Sequence, residues 1–182
     1  MPIPYAPLAS ANFLIANFAN GRGIEHMKLQ KLVYFSHGWW LTAKDSPYLN
    51  ERPQIWKHGP VFESLYHVLK NFGGSPITTI QSASPFADPS LIDADDRLIA
   101  SLLRWVWDKY GHLSSFALSD MTHRSGTAWS RVAEERNFSV PRGLEIPDAY
   151  IREEFLKQTA IGVGSSEPEP SEPHNDRGRP AA

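Results

Sequence analysis

The stretch MKLQKLVYFSHGWWL, residues 27–41, holds too many apolar side chains for one face of a helix. Leu29, Leu32, Val33, Ser36 and Trp40 fall at helical spacing and form a core stripe. Met27, Tyr34, Phe35, Trp39 and Leu41 fill most of the remaining circumference, so only Lys28, Gln30, Lys31 and His37 keep part of the surface polar. A helix apolar almost all round is buried among other elements rather than laid on a surface. It is too short and too polar to span a membrane. The sequence therefore predicts a central helix, from about Glu25 to Ala43, against which the rest of the chain packs.

Upstream, Leu8, Ala11, Ile15 and Phe18 mark a first amphipathic helix, ended by Asn20-Gly21 and Gly23. Downstream, Asp45-Ser46-Pro47 is a turn, and residues 54–58 alternate polar and apolar as a short strand does. Gly59-Pro60 is expected to stop that strand, with Pro60 in the first turn of a helix from Val61 to about Asn71. The β-branched run 77–80 reads as a second short strand and a candidate partner of the first. Asp88-Pro89 reads as an N-cap followed by proline at N1, opening the longest periodic helix of the chain, which ends at Gly111. Ser114 and Thr127 read as caps of two shorter helices, 116–123 and 128–136. Pro147-Asp148 opens a last helix to about Gln158, with Ile151 and Phe155 facing inward.

After Ile161 the composition changes to Pro, Ser, Glu and Gly with almost no large apolar side chain. Such a segment buries too little surface to offset its ordering entropy. The expected organisation is one folded domain over 1–161 and a disordered tail over 162–182. The fold class is mainly α, a compact helical domain around the buried central helix.

Composition narrows the function. A chain of 182 residues is long enough for one domain with a proper core. A net charge of −2 leaves no basic footprint, which weighs against nucleic acid as the main partner. The absence of cysteine excludes disulfides, thiolate metal sites and cysteine nucleophiles. The first residues lack the basic start and apolar core of a signal peptide, so the expected setting is a soluble protein of the cytoplasm.

No residue pattern makes an active site. His37, His58, His67 and His123 lack the paired spacing of zinc ligands, and Asp93, Asp95 and Asp96 suit a helix N-terminus better than a metal. Gly21-Arg22-Gly23 has neither the strand nor the Lys-Ser/Thr of a phosphate loop. Ser119 and His123 share a helical face, but no nucleophile elbow surrounds them. No enzyme activity, metal or cofactor is expected. A helix-turn-helix over 116–136, with Arg124, Arg131 and Arg136 on phosphates, is the alternative reading, and Glu134 and Glu135 oppose it.

Three segments resemble the SocA-like antitoxin family, or Panacea domain. The first is Leu29-Gln30-Lys31-Leu32-Val33-Tyr34-Phe35-Ser36-His37-Gly38-Trp39. The second is Trp56-Lys57-His58-Gly59-Pro60-Val61 followed by Tyr66, and the third is Leu118-Ser119-Asp120-Met121-Thr122-His123 with Trp129. The resemblance covers about residues 8–155. It implies a helical fold with a small antiparallel sheet, and a type II antitoxin that binds its cognate toxin directly. It leaves open whether the chain sequesters the toxin or, like an adaptor, presents it to the ClpXP protease.

Within those motifs Leu29, Leu32, Tyr34, Phe35, Trp39, Trp56, Gly59, Pro60, Thr122, His123 and Trp129 read as structural. Toxin contacts are expected from exposed groups beside them: Lys28, Lys31, His37, Trp40, Lys57, His58 and Tyr66. Six tryptophans are more than a core of this size hides, so at least one is expected to be partly exposed.

Overall fold

The axis of the fold is α2 (His26–Lys44), enclosed by α1 (Pro7–Phe18), α3 (Glu63–Leu69), α4 (Arg97–Tyr110), α5 (Ser115–His123) and α7 (Asp148–Val163). This is a computed structural model that describes residues 4–139 and 141–163. α6 (Ala128–Glu135) packs between α5 and α7, and one 3-10 turn (Lys70–Phe72) follows α3. Two strands, β1 (Gln54–Trp56) and β2 (Gly59–Val61), make a small antiparallel sheet. The expected mainly helical fold around a buried helix is therefore what forms.

Burial of α2 follows from its all-round apolar surface. Leu29, Leu32, Val33 and Tyr34 are wholly buried, and Phe35 nearly so. The enclosure goes further than the sequence suggested. Gln30, Lys31 and His37, expected to keep a polar surface, are 2%, 1% and 0% exposed. With neighbours on every side, α2 has no solvent face for them, so each finds its partner inside the protein. Lys31 bonds the Pro60 carbonyl of the sheet, Gln30 bonds the backbone of Phe62 just after it, and His37 Nε2 lies 3.3 Å from Asp148 on α7.

α7 supplies the largest contact to α2. Ile151 and Phe155 face inward as expected and are fully buried. Glu154, also buried, accepts a hydrogen bond from Tyr34 Oη (2.8 Å) and another from the Ala128 amide (2.9 Å). One carboxylate thus ties the central helix, α7 and the first turn of α6 together. α7 runs to Val163, beyond the expected end at Gln158, and the tail expected at 162–182 lies outside the described residues from 164 onward.

Three local signals were overridden. Gly59-Pro60 does not open a helix: it lies in β2, with Ile55 opposite Pro60 and Trp56 opposite Gly59. Gly59 takes a φ of 98°, which lets the two-residue turn Lys57-His58 reverse the chain, and an edge strand tolerates proline. The sheet partner of β1 is thus β2 and not residues 77–80. Ile77 instead exchanges two backbone hydrogen bonds of 3.0 Å with Ile24.

Asp88-Pro89 does not start a helix either. Residues 73–96 form a long connection, held by buried Asn12, which donates to the Gln81 and Ser90 carbonyls and accepts from the Gln81 amide. α4 is capped instead by Asp96, whose Oδ1 accepts from the Ile99 amide. A capping pair needs an inward apolar face beyond it, and Leu91 is 55% exposed whereas Ile99 and Leu103 are buried. Ser114 and Thr127 cap α5 and α6 as expected.

Candidate functional site

The hairpin β1–β2 is too short to be stable alone, since two isolated strands are marginal in water. It is held from outside. Lys31 Nζ donates to the Pro60 carbonyl (3.0 Å), and Gln30 both donates to the Phe62 carbonyl and accepts from its amide. Ser119 Oγ donates to the His58 carbonyl (3.0 Å), and His123 Nε2 to the Lys57 carbonyl (3.1 Å). Trp129 Nε1 donates to the Trp56 carbonyl (2.8 Å), and the Ile55 amide donates to Leu144. Side chains from α2, α5 and α6 thus converge on successive carbonyls of one turn. Each neutral bond contributes on the order of 1 kcal/mol, so together they fix the turn firmly. The side chains of Lys57 and His58 are left exposed at its tip.

Cavities flank the hairpin. One of about 210 Å³ lies between α2, the hairpin and α3, with Met27, Trp56, Val61 and Tyr66 among its walls and His26, Gln30 and Lys31 along α2. Lys57 and His58 border it. A second, of about 450 Å³, is lined by Ile55, Trp56, Lys57, Trp129, Phe138, Pro141 and Arg142. Among the described residues, no acidic side chain lines either one. The Trp56 and Tyr66 rings pack 4.6 Å apart, and His26 adds a third ring 5.4 Å from Tyr66. Aromatic walls with basic rims suit a partner that offers apolar and acidic groups.

The expected contact residues separate into two groups. Lys31, Lys57, His58 and Tyr66 line one cavity. Lys28, His37 and Trp40 lie elsewhere: Lys28 Nζ donates to the Gly111 carbonyl at the end of α4, and Trp40 packs on Tyr48 under Lys44. The expectation that Lys31 and His37 are exposed is corrected by their burial, for the reason given above. Among the structural expectations, Trp39 is half-buried and donates to Tyr110 Oη (3.0 Å). Buried Thr122 Oγ1 donates within its own helix, to the Ser119 carbonyl, rather than across the core.

Sequence reading missed several site residues. Phe138 and Arg142 sit in the irregular stretch before α7, where no periodicity marks them. Phe138 is 67% exposed with a φ of 58°, a conformation uncommon for a bulky residue. Trp105, 43% exposed on α4, meets the expectation of a partly exposed tryptophan.

Ser119 and His123 do not form a nucleophile–base pair. The Ser119 hydroxyl is engaged at His58, and His123 Nδ1 faces the Ser119 carbonyl at 2.7 Å. Among the described residues, no three His, Cys, Asp or Glu cluster as metal ligands, and no helix is long and apolar enough to cross a membrane.

Comparison with known proteins gives this arrangement a context. The model of the SocA-like antitoxin family, Panacea domain, matches residues 29–130. The chain belongs to this family. The match takes in the hairpin and the residues that anchor it from α2, α5 and α6. Antitoxin SocA of Caulobacter vibrioides (strain NA1000 / CB15N) is 29% identical over 146 residues, 74% of this chain and 73% of that protein. No solved structure matches the chain. The first and third SocA-like motifs thus support the second, the turn at Lys57-His58.

Acid should weaken this support. Burial, aided by the nearby Lys31 charge, pushes the His26 ring down to about 4, against an ordinary 6.5. Between those values the folded ring is neutral while the unfolded chain binds a proton, so stability falls as pH drops from about 6.5 towards 4. Urea midpoints measured across that window should decline, and the decline should be shallower in His26→Gln. An equal decline in both proteins would remove His26 as its cause.

Proposed function

We propose that this protein is an antitoxin that neutralises its cognate toxin, the product of an adjacent gene, by direct binding through the hairpin tip and its flanking cavities. The observation that carries the reading is that the first and third family motifs hold the second, an exposed, basic turn, in place. A turn held by so many hydrogen bonds loses little entropy when a partner binds it, and aromatic walls supply the apolar contact. Delivery of the bound toxin to a ClpXP-type protease in the cytoplasm is the finer reading that the SocA resemblance suggests.

The DNA-binding alternative over 116–136 is weakened at Arg131 and at its hairpin anchors. Arg131 bonds Glu153 at 2.7 Å, pairs with Glu135 and stacks on Tyr150, while His123 and Trp129 are turned to the hairpin. A helix whose contacts are committed inward has few left for a groove.

Co-purification with the adjacent gene product, followed by measurement of that product's lifetime with ClpXP, tests the reading. Binding with faster turnover only in the presence of this protein supports the adaptor. Binding with an unchanged lifetime supports sequestration. No complex, together with harmless expression of the neighbour alone, defeats the antitoxin reading.

Lys57→Glu should keep the fold, since its side chain is exposed and only its carbonyl is used. It should weaken the toxin complex about tenfold or more, by placing like charge at the mouth of the cavities. Unchanged affinity in titration calorimetry would move the interface away from the hairpin.

A further inference from the structure

Among the described residues, Lys31 is a buried cation without a counter-ion. Its side chain is 1% exposed, and its hydrogen-bond partner is the Pro60 carbonyl. An ammonium has three N–H donors, so that bond leaves donors to spare. The titratable and polar groups around it are His26 on its own helix, Lys57 and His58 from the hairpin, Tyr66 from α3, and Thr122 and His123 from α5. None of these is a carboxylate. Burial with no compensating charge pushes the amine down to about 7.

Lys31 also lines the 210 Å³ cavity, whose other walls are largely apolar. That volume accommodates about one large side chain. A cation held in a desolvated pocket is costly when unpaired and favourable when a carboxylate meets it in good geometry. From this we infer that the cavity receives an acidic side chain of the toxin, its carboxylate pairing with Lys31 and its methylenes lying against Tyr66 and Trp56. The inference rests on the antitoxin reading above. A nucleic-acid phosphate shares the anionic chemistry but not the fit to a narrow pocket with apolar walls, and the net charge of −2 opposes it. A carboxylate favours the charged amine, so complex formation should take up protons above pH 7.

Two arms test this on the full chain. In the first, amide and indole NMR shifts are followed while N-acetyl-L-glutamate, its uncharged diamide or inorganic phosphate is added. Saturating shifts at Met27, Val61 and Tyr66 with the carboxylate alone, lost in Lys31→Met, are expected. No shift there, or a preference for phosphate, overturns the inference.

In the second arm, toxin binding is measured by calorimetry in buffers of different ionisation enthalpy. Proton uptake by the wild type, with affinity lowered about tenfold or more in Lys31→Met, is expected. A wild-type complex without proton uptake overturns the inference even if Lys31→Met does not fold, and leaves the antitoxin reading standing. Absence of any wild-type complex defeats the antitoxin reading and, with it, the toxin as occupant. The first arm then still reports the chemistry of the pocket.

Discussion

Phe155→Ala is expected to cost about 3–5 kcal/mol of unfolding free energy, the range for emptying a fully buried aromatic site. The ring is wholly enclosed and meets Tyr34, Phe35 and Trp39, the last edge-on at 5.2 Å. It also lies over Gly38, where an added Cβ would come within 2.3 Å of its edge. The glycine in the middle of α2 is therefore a seat for Phe155, and the two residues should behave as one unit.

Gly38→Ala alone should cost about 1–3 kcal/mol through overpacking. In the Phe155→Ala background the same change should be neutral or stabilising, because the collision is gone and alanine is the better helix former by about 1 kcal/mol. Urea unfolding of the four proteins completes the cycle. Equal costs of Gly38→Ala in both backgrounds would disprove the coupling.

Gly59→Ala is the second large effect, and it acts on stability and binding together. Its φ of 98° is unfavourable for any L side chain, and an added Cβ would lie 2.4 Å from Thr122 Oγ1 and 2.7 Å from Lys31 Nζ. Strain and overpacking together should cost about 2–4 kcal/mol. The Lys31–Pro60 hydrogen bond should be displaced first, which loosens the turn presenting Lys57 and His58. Toxin affinity should fall accordingly. Thr122→Ala, which removes one colliding atom, should restore part of the stability but not the part set by φ. A stable Gly59→Ala protein with unchanged affinity would show that the turn tolerates remodelling.

Much of the fold was legible because its signals are local. The surplus of apolar residues over 27–41 marks a helix buried among other elements, and Ser114 and Thr127 mark helix starts by hydrogen bonds within one turn. Asp88-Pro89 failed for the same reason that those succeeded. A capping pair states only a local preference, and after it Ile92 is only partly buried and no side chain is fully buried until Ile99. At the site, the exposed pair Lys57-His58 and the Tyr66 wall were legible from their place beside the motifs. His26 and Gln30 were not, because neither residue type nor spacing says that a polar side chain on a helix turns inward.

The helical class, the central place of α2, the inward face of α7 and the family likeness could all be read along the chain. Each of these rests on periodicity, capping or a linear motif, all read over short separations. Long-range packing set the pairing of β1 with β2, the burial of Lys31 and His37, and the meeting of distant motifs at one turn. Those outcomes depend on which backbone groups are left unpaired once the helices pack. Lys31, Gln30, Ser119, His123 and Trp129 take them up because packing brings them there.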